Sequence, residues 1–581
     1  MTGFRFIVVA DSHIRFPDDD VNTYPSNALM VKRNEFVIDL CNRIEASFVV
    51  HLGDIVHPLP VESDHQATVE FATRVYSQLK HPIHFVPGNH DIGDKPNAFV
   101  AVPPVADEYY GTFETNWGPS FGSFDIDNLH FVIIDTPVLN SGLDREELQR
   151  NWLERDLRAA AGQRIFCFTH YPPFIRDPEE DEHYDNLGEP ARSWLLDLVE
   201  EYQVEAVFSG HVHNFLYNHR SGTEFYVLPS TGFVRPDYSE LSAVKPESEN
   251  GRDDPAKLGF FVVDVEADGH LIRTIRTDGA TPATGGLPVP LETSLDADWE
   301  SPIGVTLRHG WMAEVDFPTA GLDEFRRKTV RNDATLPALW EARISRLRIP
   351  FADGASPTRL ARLRHLRGRG TRFTVISAGV PDAATSRTIE SSEVERWEIA
   401  ASPDDFDRLI GSFPRILRTG GPLFAVGPIV PIGSANAQVH HFVSTGFSCH
   451  EDPILERWID LDSSRLAGEL VFRIPFEDDV TASVATANRL AAAAGYAAVI
   501  LIELPRATES TPFKDDQAIS DRVAETVAAA YECPDAAIFL DGFMDHDRSY
   551  YPRNGLIDRH HNPRPALYRL IDCAAQGLGR S

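Results

Sequence analysis

Phe4-Arg5-Phe6-Ile7-Val8-Val9-Ala10 runs without a break into Asp11-Ser12-His13. A short run dominated by Val, Ile and Phe has the length and composition of a buried strand, and this one ends on two residues of metal-ligand type. The same join recurs along the chain. Ser47–Leu52 leads into Gly53-Asp54, Ile83–Pro87 into Gly88-Asn89-His90-Asp91, Arg164–Phe168 into Thr169-His170, and Ala206–Phe208 toward Gly210-His211-Val212-His213. An α/β sheet gathers its ligand-binding groups where strands give way to loops, so these joins predict one shared site. Further apolar runs at His130–Ile134, Glu224–Leu228 and Phe260–Val265, with helical spacing over Ala28–Glu45 and Arg145–Ala161, extend the α/β pattern to residue 276.

The donor types narrow the chemistry. Carboxylate and imidazole without thiolate suit Mn, Fe or Zn, and no run of alternating Asp oxygens suggests a calcium loop. In Asp11-x-His13 and His211-x-His213 the spacing of two places both side chains on one side of an extended segment. Glycines at 53, 88 and 210 let the backbone turn sharply and come close to the site.

Read in order, these residues give D-x-H, G-D, G-N-H-D, H and G-H-x-H, and the stretch from about 4 to 270 resembles the calcineurin-like metallophosphoesterases. The Gly-Asn-His-Asp form and the Thr-His-Tyr-Pro-Pro setting of His170 are most similar to the branch that includes cyclic-nucleotide and glycerophospho-diesterases. The resemblance implies an αββα sandwich with two divalent ions joined by one carboxylate. Asp11, His13, Asp54 and His213 would hold the first ion, and Asp54, Asn89, His170 and His211 the second. It further implies hydrolysis of a phosphoester by attack of a metal-bridging hydroxide, with His90 serving the leaving oxygen. Asp91 is expected to orient the His90 imidazole, and Arg15 and Arg235 to contact substrate. His51, His57, His81 and His84 read as structural histidines.

From Thr277 to Pro302 the chain is dense in Gly, Pro and Thr and reads as a linker between a domain at 1–276 and a second at 303–575. Candidate strands at Gly304–Arg308, Ser345–Phe351, Arg372–Ser377, Arg396–Ala400, Leu423–Pro428, Leu470–Pro475, Ala498–Glu503 and Ala537–Asp541 alternate with helical patterns such as Thr481–Gly495 and Gln517–Tyr531. Eight such units predict a (β/α)8 barrel of the TIM type, with Val439–Phe447 as a ninth strand or a loop. Glu398 and Glu503 fall at the ends of the fourth and seventh strands, where they look like the acid/base and nucleophile of retaining glycoside hydrolases. The segment Phe539 to Asp547 and the tail Gly555 to Pro563 resemble the last strand and close of such barrels. Trp397 stands where that clan usually has Asn, which leaves an active glycosidase, a carbohydrate-recognising barrel and a structural barrel all open. His440, His441 and His450 cluster in sequence without ligand spacing.

Charge and size set the outer limits. The chain has 581 residues, and its 54 Lys and Arg against 87 Asp and Glu leave −33. Such a field repels nucleic acid and anionic membranes and favours a small substrate drawn to a local pair of cations. Two polar segments, the first of them acidic, bear on this. Asp177 to Asp185 reads as a solvated loop or as a lip selecting weakly charged diesters, and Arg235 to Lys257 as polar surface or a lid. Five scattered cysteines give neither a disulfide framework nor a thiolate zinc site, and a reducing compartment fits them best. No basic stretch followed by an apolar run opens the chain, and no apolar run approaches the roughly 18 residues of a membrane span. The sequence therefore predicts a cytoplasmic hydrolase of a small phosphodiester, with the barrel placed to recognise a sugar-bearing part of it. The rival readings are a phosphomonoesterase and a glycan-processing or glycan-binding protein whose barrel sets function.

Overall fold

The computed structural model describes the chain outside residues 1–3, 17–23, 98–99, 101, 239–247, 296–298, 309–310, 320–324, 356, 381–393, 413–420, 433–441, 506–515, 546–552 and 578–581. Two compact units result: Met1–Asp296 with Ala313–Pro337, and Ala297–Met312 with Ala338–Ser581.

The first unit is built on two sheets. One has the spatial order Gly269–Arg276, Gly259–Glu266, Phe4–Val9, Val49–His51, Ile83–Phe85. The other runs Gly122–Ile126, Leu129–Ile134, Arg164–Thr169, Ala206–Ser209, Thr223–Val227, Leu216–Arg220. Side chains alternate along a strand, and Phe4–Val9 shows the consequence. The Phe6 ring lies 5.2 Å from Phe48 in its own sheet and 5.6, 5.8, 5.9 and 6.0 Å from Phe131, Phe166, Phe168 and Phe208 of the other sheet. Ile7 and Val9 turn the other way, onto Phe36, Val37 and Leu40 of the helix Met30–Arg43. Across the sandwich, Val132, Ile134, Ile165 and Cys167 pack on Leu153 and Leu157 of Asp144–Ala159 and on Leu195 and Leu198 of Ala191–Glu201. The layers are helix, sheet, sheet, helix. Phe4–Val9, Val49–His51 and Ile83–Phe85 run parallel, as do Leu129–Ile134, Arg164–Thr169 and Ala206–Ser209. Their carboxyl ends therefore share an edge, and the site loops follow from it.

Three features depart from the sequence reading. The strands Gly122–Ile126, Leu216–Arg220 and Gly269–Arg276 were not expected; each is an edge or antiparallel strand with an exposed side, so it lacks a continuous apolar run. The Gly/Pro/Thr-rich stretch after Thr277 is not a free linker, because Leu291 and Leu295 are buried with Ile7, Phe36 and Phe260 in the core of the first unit. Residues 313–337, assigned from sequence to the barrel, fold with the first unit instead: the hairpin of Glu314–Pro318 and Arg327–Arg331 buries Phe317 and Val330 against Ile175, Val212, Leu216, Val227 and Tyr238.

The second unit is a closed barrel of parallel strands. In order around it lie Gly304–Thr306, Arg346–Pro350, Arg372–Ala378, Arg396–Ala401, Leu423–Ile432, Glu469–Ile474, Ala497–Ile502 and Ala537–Leu540, and the last pairs back to the first through Val305 and Leu540. Phe442–Thr445 is a short extra strand antiparallel to Leu423–Ile432, within the segment left open between strand and loop. Among the described residues no helix is long and apolar enough to cross a membrane.

Phe6 sits at the centre of the sandwich with no exposed surface. Phe6→Ala is expected to remove about 3–5 kcal/mol from the unfolding free energy in a urea titration. A loss below about 1 kcal/mol, the scale of a surface change, would contradict the two-sheet core.

Candidate metal centre

Asp11 and His13 follow the end of Phe4–Val9, Asp54 follows Val49–His51, Asn89 follows Ile83–Phe85, His170 follows Arg164–Thr169, and His211 and His213 follow Ala206–Ser209. All seven side chains are buried. Donor atoms of Asp11, His13, Asp54 and His213 lie within 4.8 Å of one another, as do those of Asp54, His170 and His211. Asp54 is the shared member: one oxygen is 3.4 Å from His13 Nε2 and the other 3.4 Å from His170 Nε2. Asn89 joins the second group, its Oδ1 lying 2.9 Å from His170 Nε2 and 3.1 Å from His211 Nδ1.

The backbone is bent to allow this. Asp11, His13, Asp54, His211 and His213 have φ of +53°, +43°, +52°, +67° and +54°. Left-handed backbone in a non-glycine residue costs on the order of 1–3 kcal/mol and survives only where the surroundings enforce it. Here the enforcement is visible: Asp11 N–H donates to Gly53 O at 3.2 Å, His13 N–H to Asp54 O at 3.0 Å, and His211 N–H to the Asp11 carboxylate at 3.0 Å. Gly53 has φ +93° and Gly88 packs against Asp54 so tightly that an added Cβ would sit 2.3 Å from Asp54 Oδ1.

The outer nitrogens of two imidazoles are tied down. His170 Nδ1–H donates to Leu52 O at 2.8 Å and His213 Nδ1–H to Phe233 O at 3.0 Å, which leaves Nε2 of each as the free lone pair facing the donor groups. His13 Nε2 and His213 Nε2 stand 3.0 Å apart, a spacing of two lone-pair atoms that an intervening cation would stabilise. Burial first, then repulsion from His90, His213, His57 and His170, holds His13 well below the ordinary imidazole range. Burial and His170 do the same for His211. Neutral imidazoles and carboxylates without a thiol are the form in which divalent cations of the Mn, Fe or Zn kind are bound, so these residues fit such ions.

Around the centre the expected roles redistribute. His90 N–H donates to Asp54 Oδ1 at 2.8 Å, and the His90 ring, half-buried, meets the His13 ring at 4.6 Å between centroids. Its Nδ1–H donates to the carbonyl of His57. Asp91 does not orient that ring: it accepts from Gly88 N–H at 2.8 Å and Ile55 N–H at 3.0 Å, bracing the two glycine loops against each other. Arg15 lies on the loop after His13, with Nε buried and without a hydrogen-bond partner among the described residues. Arg235 is committed within the protein, donating to Asp185 at 2.5 Å and Asp237 at 2.8 Å.

The acidic loop is no simple solvated surface. Glu180 accepts from the amides of Ile175 and Arg176 at 2.8 and 3.1 Å, while the Lys95 ammonium donates to the carbonyls of His183 and Asn186. Asp185 is fully buried. Burial alone would raise its proton affinity, but Arg235, Lys328 and His211 outweigh it and hold the carboxyl well below the usual range. Glu179, Asp181 and Glu182 remain exposed. The middle of the Arg235 to Lys257 segment, 239–247, lies outside the described residues.

In the barrel unit Glu398 is fully buried and accepts two bonds from Arg348, both at 2.7 Å, and one from Thr445 at 3.1 Å. Glu398 is thus committed to a buried ion pair with Arg348. Glu503 is paired with Arg473 at 2.9 Å. Cys449, His450 and Asp478 form another group with metal-type donors, which the sequence reading passed over because Asp478 lies on a separate loop. His440, His441, His546 and Asp547 lie outside the described residues.

The αββα sandwich gathers two overlapping groups of N/O donors at its strand ends. Within it, residues 4–215 match the calcineurin-like phosphoesterase family, and the chain carries that domain. It is similar to the bovine (Bos taurus) serine/threonine-protein phosphatase CPPED1, 29% identical over 194 residues, covering 32% of this chain and 59% of that protein. It is also 30% identical over 143 residues to a probable glycerophosphodiester phosphodiesterase, GpdQ, of Arcobacter nitrofigilis, covering 23% of this chain and 45% of that one. Among solved structures, the purple acid phosphatase PPD1 of yellow lupin (Lupinus luteus) seeds aligns at 16% identity and TM-score 0.33, over 48% of this chain and 52% of that one. The matched region thus spans about 59% of the length of the first curated relatives.

Two substitutions test the geometry. Gly88→Ala forces a methyl against Asp54 and is expected to lower metal content, measured by elemental analysis of the purified protein, while the circular dichroism spectrum stays close to wild type. Glu398→Gln leaves the Arg348 charge buried and underpaired, and should cost about 3–5 kcal/mol in urea unfolding.

Proposed function

We propose that the first unit, Met1–Asp296 with its hairpin at Ala313–Pro337, is a metal-dependent phosphoesterase that holds two divalent ions and hydrolyses a small phosphodiester. The observation carrying this reading is the sharing of Asp54 between two buried donor groups in a domain of the calcineurin-like family. Asp11, His13, Asp54 and His213 would hold one ion, and Asp54, Asn89, His170 and His211 the other. Bound there, divalent ions supply charge to the phosphoryl oxygens and lower the pKa of water at neutral pH.

The remaining work falls to side chains. His90 is fixed by its own backbone bond to Asp54 and by Nδ1–H on the His57 carbonyl, so Nε2 is the nitrogen left to carry a proton to the departing alkoxide. Asp91 holds the Gly88 and Ile55 amides and so keeps the Asp54 and Asn89 loops in register. Arg15, whose Nε has no hydrogen-bond partner among the described residues, is a side chain available to a substrate oxygen. The exposed acids Glu179, Asp181 and Glu182 and a net charge of −33 support a substrate of low negative charge, which favours a diester. Phosphomonoester hydrolysis is the second reading, favoured by the relatives named as phosphatases. The barrel's buried Glu398–Arg348 pair argues against the glycosidase reading. Five free thiols support a cytoplasmic setting.

Metal-depleted protein, reloaded with Mn, is offered a bis-aryl phosphate, an aryl phosphate and an aryl glycoside. The diester should be cleaved with the highest kcat/KM, the glycoside not at all, and chelation should abolish both phosphoester activities. Preference for the monoester would instead support the phosphatase reading, and glycoside cleavage would overturn the argument against a glycosidase barrel. His90→Ala should lower kcat by roughly 10²–10⁴ on an alkyl ester and by less on a nitrophenyl ester, whose leaving group needs no proton.

A further inference from the structure

His211 is the one histidine of the donor groups that faces them through Nδ1, 3.1 Å from Asn89 Oδ1. Its other nitrogen, Nε2, is buried and has no hydrogen-bond partner among the described residues. What it faces is Asp185, whose Oδ1 lies 3.7 Å away. The ring between them is boxed by Tyr171 at 4.2 Å and Tyr184 at 4.8 Å between centroids.

Asp185 is in turn held from three directions. Arg235 donates to Oδ1 at 2.5 Å, the Tyr238 hydroxyl donates to Oδ2 at 2.6 Å, and the Lys328 ammonium also donates to Oδ2. Lys328 is itself buried, 5.0 Å from the centre of the Tyr238 ring and 5.1 Å from that of Phe317, and its second carboxylate, Asp237, is 3.7 Å away. It comes from the hairpin Glu314–Pro318 and Arg327–Arg331, far beyond the family match at 4–215. The hairpin is anchored beside Lys328: Arg331 donates to Tyr217 O at 2.9 Å and Asn218 Oδ1 at 2.7 Å, and Asp333 accepts from Tyr217 N–H at 2.9 Å.

We propose that Asp185 is a positioning residue for His211, and that the hairpin completes the site by delivering Lys328 to hold Asp185 in place. The inference rests on the reading of His211 as a metal ligand. An imidazole that binds a cation through Nδ1 must keep its proton on Nε2, and a fixed carboxylate on that side selects the tautomer, orients the ring and raises its basicity. A spacing of 3.7 Å exceeds a direct hydrogen bond, so the carboxylate acts on the ring by its charge. A buried anion needs compensating donors, and one guanidinium, one phenol and one ammonium provide them. Without Lys328, Oδ2 would keep only the Tyr238 bond and the carboxylate would lose a charge partner. The hairpin is therefore part of the phosphoesterase site even though it follows the first barrel strand in the chain.

The test uses the full-length, metal-depleted protein as wild type, Asp185→Asn, Lys328→Met and Lys328→Arg. Mn is titrated in, and the two stepwise affinities are read by calorimetry and by the paramagnetic resonance signal of coupled Mn pairs. Metal-free melting curves report folding separately. Asp185→Asn should weaken one of the two affinities by roughly 10–100-fold and leave the other within about twofold. Lys328→Met should move the same affinity in the same direction, and Lys328→Arg should restore most of it. Two wild-type affinities in Asp185→Asn, or an equal loss of both, would overturn the inference. If Asp185→Asn fails to fold, the Lys328 pair decides: two unchanged affinities in Lys328→Met overturn it, and a selective loss of one affinity rescued by Arg supports it. Wild-type protein that binds fewer than two Mn ions would overturn the two-ion reading itself, and this inference with it.

Discussion

Asp54 has to serve two donor groups at once, and much of the first unit can be understood as the means of letting it. Its oxygens are equidistant, at 3.4 Å, from a histidine of each group, and one of them also accepts the His90 amide. A carboxylate so placed cannot sit on an ordinary strand end. Its own φ is +52°, its neighbour Gly53 is left-handed as well, and Gly88 must lack a side chain for the two loops to meet. The strain in these loops is offset by what lies beneath them, a phenylalanine-filled interface between two sheets whose parallel strands end at one edge.

Electrostatics explains why the centre is closed on its protein side. Burial and mutual repulsion hold His13 and His211 below the ordinary imidazole range, which leaves lone pairs that a divalent cation would satisfy. Farther out, buried charges are paired within the chain: Asp185 with Arg235 and Lys328, and in the barrel unit Glu398 with Arg348 and Glu469 with Arg396. Both barrel pairs use two guanidinium nitrogens on two carboxylate oxygens, the arrangement that fixes geometry most strongly. They link nonadjacent strands across the barrel interior, where a purely apolar filling would be usual. The net charge of −33 is therefore largely a property of the surface.

Much of this was legible in the sequence because strand ends and metal donors coincide. Phe4–Val9 followed by Asp11 and His13 reveals both a strand and a site, and the barrel strands announce themselves as buried apolar runs. What escaped was of three kinds. Half-exposed edge strands such as Gly122–Ile126 lack the run that marks a buried one. Roles that depend on the partner's position escaped too: Asp91 adjoins His90 in sequence yet bonds amides, and Arg235 and Glu398 are spent on buried ion pairs that only the fold brings together. The third was chain path. Nothing in the polar pattern of residues 313–337 says that it returns to the first unit, and so the buried state of Asp185, which depends on Lys328, could not be read from an acidic stretch that looks solvated.

In the proposed reading Asp54 would serve two divalent ions at once. Anomalous diffraction from crystals of the full chain grown with Mn tests it directly. Two peaks are expected, on opposite sides of the Asp54 carboxylate and about 3.5–4 Å apart, one against His13 and His213 and the other against His170 and His211. A single peak, or peaks that leave Asp54 without a metal contact, would contradict it.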